Sequence, residues 1–200
     1  LDKSNIQTKF IRGLRVTDKN IIKIIERVLI DFNNDIVSAL RKKGSEAISI
    51  NTKTNNIIDV IPEKEELGFV GIPDKINTDF IENIADKNQV PVVAPLGLGK
   101  NKDPYNINGD TAAGAIAKSL NARRLLLMTN VEGVLDKEKK LITEISSSKI
   151  LEMINDEIIT GGMIPKINTC LDAVNKGVRG VVIMDGRKKH SILNEIFSDS

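Results

Sequence analysis

Asn106, Asn108 and Asp110 stand two residues apart in Tyr105-Asn106-Ile107-Asn108-Gly109-Asp110-Thr111-Ala112-Ala113-Gly114-Ala115. If this stretch is extended, the period-two alternation of side chains turns all three polar groups to one side, where they converge on one point. The small residues that follow let a ligand or another backbone come close. An aspartate N-cap after an asparagine-rich turn explains the same residues without a ligand.

A second segment, Ile158-Ile159-Thr160-Gly161-Gly162-Met163-Ile164-Pro165-Lys166, sets paired glycines before a helix whose first turn holds Pro165 and Lys166. Proline suits that turn. Lysine does not, because a helix N-terminus already carries partial positive charge. An anionic ligand resolves the conflict, since free N–H groups, glycine backbone and the ammonium can all address a phosphate. A solvated surface lysine is the plain alternative.

Thr129-Asn130-Val131-Glu132-Gly133-Val134-Leu135-Asp136 can hold a nucleobase or ribose between polar backbone and the apolar Val131 and Leu135, or it can be an ordinary connection. Arg15, in Gly13-Leu14-Arg15-Val16-Thr17 ahead of a helix, suits bidentate binding of a carboxylate, with a surface arginine as the alternative. His190 is the only histidine and Cys170 the only cysteine, and they fall on different elements, so neither a His–Cys metal pair nor Ser-His or Cys-His nucleophilic catalysis is supported.

The elements that must position these residues alternate. Apolar positions at mostly helical spacing run from Thr17 to Lys43, with Thr17 as N-cap, Asn33-Asn34 as a break between two helices and Gly44 as the stop. Ala47–Ile50 reads as a strand, and Thr52–Phe69 as a charged, exposed hairpin flap turning at Asn55-Asn56. A helix capped by Asn77 runs to Asn88, and Val90–Pro95 is a strand entering a loop at Gly97 and Gly99. The predicted order then continues as helix Asp110–Leu120, strand Leu125–Met128, helices Ser147–Asn155 and Pro165–Lys176, strand Gly180–Met184 and helix Lys188–Phe197. That rhythm predicts an α/β layered sheet with mainly parallel central strands and ligands outside the carboxyl ends of those strands.

Composition narrows the function classes. With 29 Lys and Arg against 27 Asp and Glu in 200 residues, the formal charge of +2 is too small for a surface that holds nucleic acid through counterion release. Aromatics at 3% supply no stacking platform for single strands. One cysteine excludes an internal disulfide and points to the reducing cytosol. No apolar run approaches the ~18–20 residues of a membrane span, and Leu1-Asp2-Lys3-Ser4-Asn5 has no apolar signal region. The first residue is not methionine, which reads as a truncated start.

Taken in order, Gly13–Thr17, Leu67-Gly68-Phe69-Val70-Gly71, Tyr105–Ala115, Gly161-Gly162-Met163-Ile164-Pro165-Lys166 and Asp185-Gly186-Arg187 resemble the N-acetylglutamate kinases of the amino-acid kinase family over nearly the whole chain. The resemblance implies a three-layer αβα sandwich with a mainly parallel central sheet, as a single domain over residues 1–200 that lacks a strand–helix unit and a lysine-bearing glycine loop at its amino end. It implies ATP-dependent phosphorylation of the side-chain carboxylate of N-acetyl-L-glutamate, the second step of arginine biosynthesis, with Mg²⁺ held mainly by the nucleotide phosphates.

By the same resemblance, Arg15, Asn106 and Asn108 hold the substrate. Asp110 orients lysines around the transferring phosphoryl, and Lys166 neutralises its charge. Asn130, Val131, Glu132, Gly133, Val134 and Leu135 line the nucleotide together with Ile158, Ile159 and Thr160; Asn130 stands where the family more often has aspartate. A homo-oligomer, dimer or hexamer, is implied, and a nitrogen-regulatory signalling protein is a possible partner. A carboxylate acceptor has a reference pKa of about 4.3 and is ionised at neutral pH, so no catalytic base is required. Two other readings share these residues: an aspartate, carbamate or uridylate kinase, and a non-catalytic arginine-binding or assembly fragment.

Overall fold

The computed structural model describes residues 9–11 and 14–197, so Leu1–Asn5, Gly13 of the first motif and the tail Ser198-Asp199-Ser200 lie outside the described residues. Packing divides the chain into two compact units, Leu1–Ser119 and Leu120–Ser200.

In the first unit β1 (Phe10–Ile11) pairs antiparallel with β2 (Leu14–Arg15), ahead of α1 (Lys19–Lys42). Asp18, not Thr17, caps α1: its carboxylate accepts from Asn20 N at 2.7 Å and Ile21 N at 2.8 Å. Thr17 is instead fully buried, with its hydroxyl donating to Arg15 O. The expected break at Asn33-Asn34 is absent, and α1 is continuous for 24 residues. Asn33 is 3% exposed; its Nδ2 donates to Val92 O at 2.9 Å and its Oδ1 accepts from Ser49 Oγ. The amide serves as a buried tether rather than a helix breaker, because both of its polar ends meet partners on neighbouring strands. Arg41 and Lys42 sit in the last turn, favourable against the helix dipole, and Gly44 follows at φ +87° as the sequence predicts.

α1 packs on β3 (Ala47–Ile50), β6 (Val90–Val93) and β8 (Pro104–Asn106); β3 and β6 pair in parallel from Ala47 opposite Val90 to Ile50 opposite Val93. Four strands run in the spatial order β5-β4-β7-β8: β4 (Ile58–Pro62), β5 (Gly71–Ile76), β7 (Leu96–Leu98) and β8. The β4–β7 neighbours are parallel, while β4–β5 and β7–β8 are hairpins. Two expectations change here. The hairpin spans 58–76 instead of turning at Asn55-Asn56, and it is no exposed flap, because Ile58, Val60 and Leu67 are buried. The segment at Gly97 is a strand and not a loop: a Cβ there would stand 2.8 Å from Ile58 O, so glycine is what lets β7 lie against β4. Two helices complete the unit, α2 (Thr78–Ala85), capped by Asn77, and α3 (Gly109–Ser119), packed on β5.

In the second unit β9 (Arg124–Thr129) and β10 (Gly180–Asp185) run parallel in register from Arg124 opposite Gly180 to Thr129 opposite Asp185. The helices are α4 (Ser147–Asn155), capped by Ser146; α5 (Met163–Asn175), which packs on β10; and α6 (Ser191–Phe197). Val134, Ile150, Met153, Ile159 and Ile167 form its buried core. Among the described residues no helix is long and apolar enough to cross a membrane.

The Asn33 tether makes a direct prediction. Replacing Asn33 by Leu removes the acceptor of the Ser49 hydroxyl proton and the side-chain donor to Val92 O and should lower unfolding free energy by about 1–3 kcal/mol in a urea titration, whereas the exposed Asn34→Ala should stay within about 0.5 kcal/mol. Equal effects would show that Asn33 carries no special load.

Candidate active site

In the first unit three of the sequence motifs are laced together by backbone. Thr17 N donates to Leu67 O at 2.9 Å and Phe69 N donates to Thr17 O at 2.7 Å; Asn106 N then donates to Phe69 O at 2.9 Å. The Leu67–Gly71 segment therefore lies between the strand end that carries Arg15 and the strand end that carries Asn106. Gly68 makes this possible: at φ +66° a Cβ would lie 2.4 Å from Thr17 O, a distance no side chain tolerates. The rings of Phe69 and Tyr105 meet at 5.4 Å between centroids, tilted by 46°, across the same join. Arg15 and Asn106 are both half-buried here.

Asn108 and Asp110 are placed differently from the extended arrangement expected. The chain leaves the strand conformation after Asn106, buries Ile107 and enters α3 at Gly109. Asn108 Oδ1 accepts from Asp110 N at 3.0 Å and Thr111 N at 3.1 Å, so Asn108 is the cap and Asp110 sits inside the first turn. The alternation fails because two otherwise unpaired helix N–H groups draw the Asn108 amide, a stronger local demand than continued strand. Asp110 there complements the helix dipole.

In the second unit the residues Asn130–Leu135 leave the carboxyl end of β9, directly beside the carboxyl end of β10, as expected for a binding crevice of parallel strands. Gly133 has φ +148°, a backbone conformation that side chains rarely adopt, and a Cβ there would crowd Leu141 Cδ1 at 2.8 Å. Asn130, Val131, Glu132 and Leu135 are exposed, but Val134 points into the core, and Ile142 N closes the loop by donating to Val134 O at 2.9 Å. Ile159 is likewise a core residue, leaving Thr160 exposed and Ile158 half-buried before α5. Val134 and Ile159 can thus meet a ligand only through backbone. Lys166 is half-buried one turn into α5, and Pro165 falls where its missing N–H costs no helix bond. Ile158 also borders an open cleft of about 590 Å³ lined by Asp136, Lys149 and Met153 among others.

The Asp185–Arg187 motif is a clamp. The Asp185 side chain is almost wholly buried and accepts from Arg187 Nε at 2.9 Å, Nη2 at 2.8 Å and backbone N at 2.9 Å. The side-chain hydrogen bonds of Arg187, then its backbone N–H, hold the carboxyl at about 2, below its ordinary 3.8. Among the described residues no three His, Cys, Asp or Glu side chains converge as a metal cage.

The amino acid kinase family model matches residues 1–185. The chain belongs to that family. Within it, the chain is 56% identical to an acetylglutamate kinase of Pelagibacter ubique over 195 residues, 98% of this chain and 68% of that protein. It is 46% identical to an acetylglutamate kinase of Clostridioides difficile over all of this chain and 72% of that protein. The crystal structure of smu.665 from Streptococcus mutans superposes with a TM-score of 0.85 at 34% identity, covering 92% of this amino acid kinase and 76% of that chain. An N-acetylglutamate synthase from Neisseria gonorrhoeae, complexed with coenzyme A and N-acetyl-glutamate, gives a TM-score of 0.88 at 21% identity over 100% of this chain and 46% of its own; that likeness shows fold alone.

The Asp185 carboxyl sets a pH dependence. A depressed folded pKa contributes stability that is fully present above about pH 4 and is lost as pH falls toward about 2. Comparing the chain with its Asp185→Asn variant by thermal melting, the wild-type advantage should shrink across that window; an advantage that stays constant or grows in acid would contradict the clamp.

Proposed function

We propose that this chain is an acetylglutamate kinase, transferring the terminal phosphoryl of ATP to the side-chain carboxylate of N-acetyl-L-glutamate in arginine biosynthesis. The observation that carries the reading is its 56% identity, over 98% of its own length, to a protein of that name. The residue chemistry agrees. The acceptor is ionised at neutral pH and needs no base, and only one histidine is available in the sequence. What the reaction needs is positioning and neutralisation of charge.

In this reading Arg15 pairs with a substrate carboxylate, and Asn106 and Asn108 hydrogen-bond the same substrate, Asn108 through the amide end that does not cap α3. Lys166 neutralises charge on the transferring phosphoryl, and Asp110 orients the lysines that do so. Asn130, Val131, Glu132, Gly133 and Leu135 line the nucleotide with Ile158 and Thr160, to which Val134 and Ile159 lend backbone and support. Gly133, whose φ of +148° suits a residue without a side chain, fits a loop that offers main chain to a ligand. Mg²⁺, carried on the phosphates, would add Lewis-acid neutralisation of the same charge. A cytoplasmic location, a homo-oligomeric assembly and binding of a nitrogen-regulatory signalling protein belong to the same reading, on the strength of the family resemblance.

Hydroxylamine trapping of the acyl phosphate tests the roles. Lys166→Met should lower kcat by about a hundredfold to a thousandfold, as for loss of one transition-state charge donor. Arg15→Ala should instead raise KM for N-acetylglutamate and leave KM for ATP unchanged. The reverse pattern, or full activity in Lys166→Met, would remove these assignments.

A further inference from the structure

The turn after β10 takes no part in the proposed reaction, yet it is built around a buried charge. Asp185 is 6% exposed and receives three hydrogen bonds from Arg187, which locks the 185–187 turn into one conformation. From this block one tie runs to the last residue of β9, from which the next loop leaves, and one to that loop itself. Gly186 N donates to Thr129 O at 2.8 Å, and Lys188 Nζ donates to Glu132 Oε1 at 3.0 Å. The far end of the loop is held separately, by Ile142 N on Val134 O. Its exposed middle is therefore steadied from the β10 side by the Asp185 turn.

We propose that Asp185 is a positioning residue for nucleotide binding: acting through Arg187, it fixes the turn whose Gly186 pins the end of β9 at Thr129 and whose Lys188 pairs with Glu132, holding the Asn130–Leu135 loop in its ligand-ready shape. The proposal rests on the reading of that loop as the nucleotide wall. An unclamped turn would let the loop open, and the nucleotide would have to order it on binding. The acceptor-binding residues Arg15 and Asn106 belong to the other packing unit, so the effect should fall on one ligand only.

Calorimetric titration of ADP and, separately, N-acetylglutamate into the wild-type chain and its variants tests this at neutral pH, well below each melting temperature. Asp185→Asn should weaken ADP binding by about tenfold, the scale of a lost charge-assisted hydrogen bond, with N-acetylglutamate affinity within about twofold of wild type. Arg187→Ala should reproduce that effect, and the double variant should be no weaker than either single one, because the two side chains act as one unit. Lys188→Met should cost about twofold to threefold, as befits an exposed ion pair. Hydrogen exchange separates the two layers of the claim. If ADP slows exchange of amides 130–135 in the wild type while Asp185→Asn binds ADP normally, the positioning role is wrong. If ADP leaves those amides unchanged, the nucleotide-wall reading fails and the proposal with it. Equal losses for both ligands would reduce Asp185 to a stability residue and overturn the proposal.

Discussion

Phosphorylating a carboxylate means pressing one anion against another. At a separation of about 4 Å and an effective dielectric of about 20, each unit-charge pair opposes the approach by about 4 kcal/mol. Three proposed features of this kinase answer that repulsion: a guanidinium at Arg15 for one carboxylate, an ammonium at Lys166 for the phosphoryl, and main chain without a side chain at Gly133. Such groups help only if they are already in place, since reorganising them during the reaction would forfeit the gain.

The two packing units supply that rigidity by different means. In the first, the acceptor-side strand ends are joined by a third segment whose hydrogen bonds run from Thr17 through Leu67 and Phe69 to Asn106. Gly68 permits the join by having no side chain to collide with Thr17 O. In the second, parallel pairing sets Thr129 opposite Asp185, so two loops leave side by side and can be tied to each other. The proposed acceptor residues all fall in the first unit, and the proposed nucleotide residues together with Lys166 all fall in the second.

Much of this was readable from the residues alone, and the misreadings have a common cause. Elements with a clear apolar pattern, such as the helix Ser147–Asn155 and the strand Ala47–Ile50, are where the pattern puts them. The errors sit at polar residues whose partners are distant or compete locally. Asn33 looks like a breaker until Ser49 and Val92 are seen against it. Asn108 captures the cap of α3 from Asp110, and Asp18 captures that of α1 from Thr17, choices decided by an offset of one or two residues. The strand at Leu96–Leu98 was hidden because Gly97 reads as loop when its tight contact with β4 is unknown. In the candidate site the motif residues were visible, but the joining role of Leu67–Gly71 and the clamp of Asp185 on Arg187 were not. Short motifs carry no record of what they bond. The alternation of glycines with apolar residues in Leu67-Gly68-Phe69-Val70-Gly71 was the one available signal of close backbone approach.

The central claim is the identity of the acceptor. Phosphorus NMR of the chain with MgATP and an equimolar mixture of N-acetylglutamate, aspartate, carbamate and uridylate tests it in one tube. The account predicts that the acyl phosphate of N-acetylglutamate is the product that accumulates. A phosphorylated product from any of the other three, with N-acetylglutamate untouched, would contradict it.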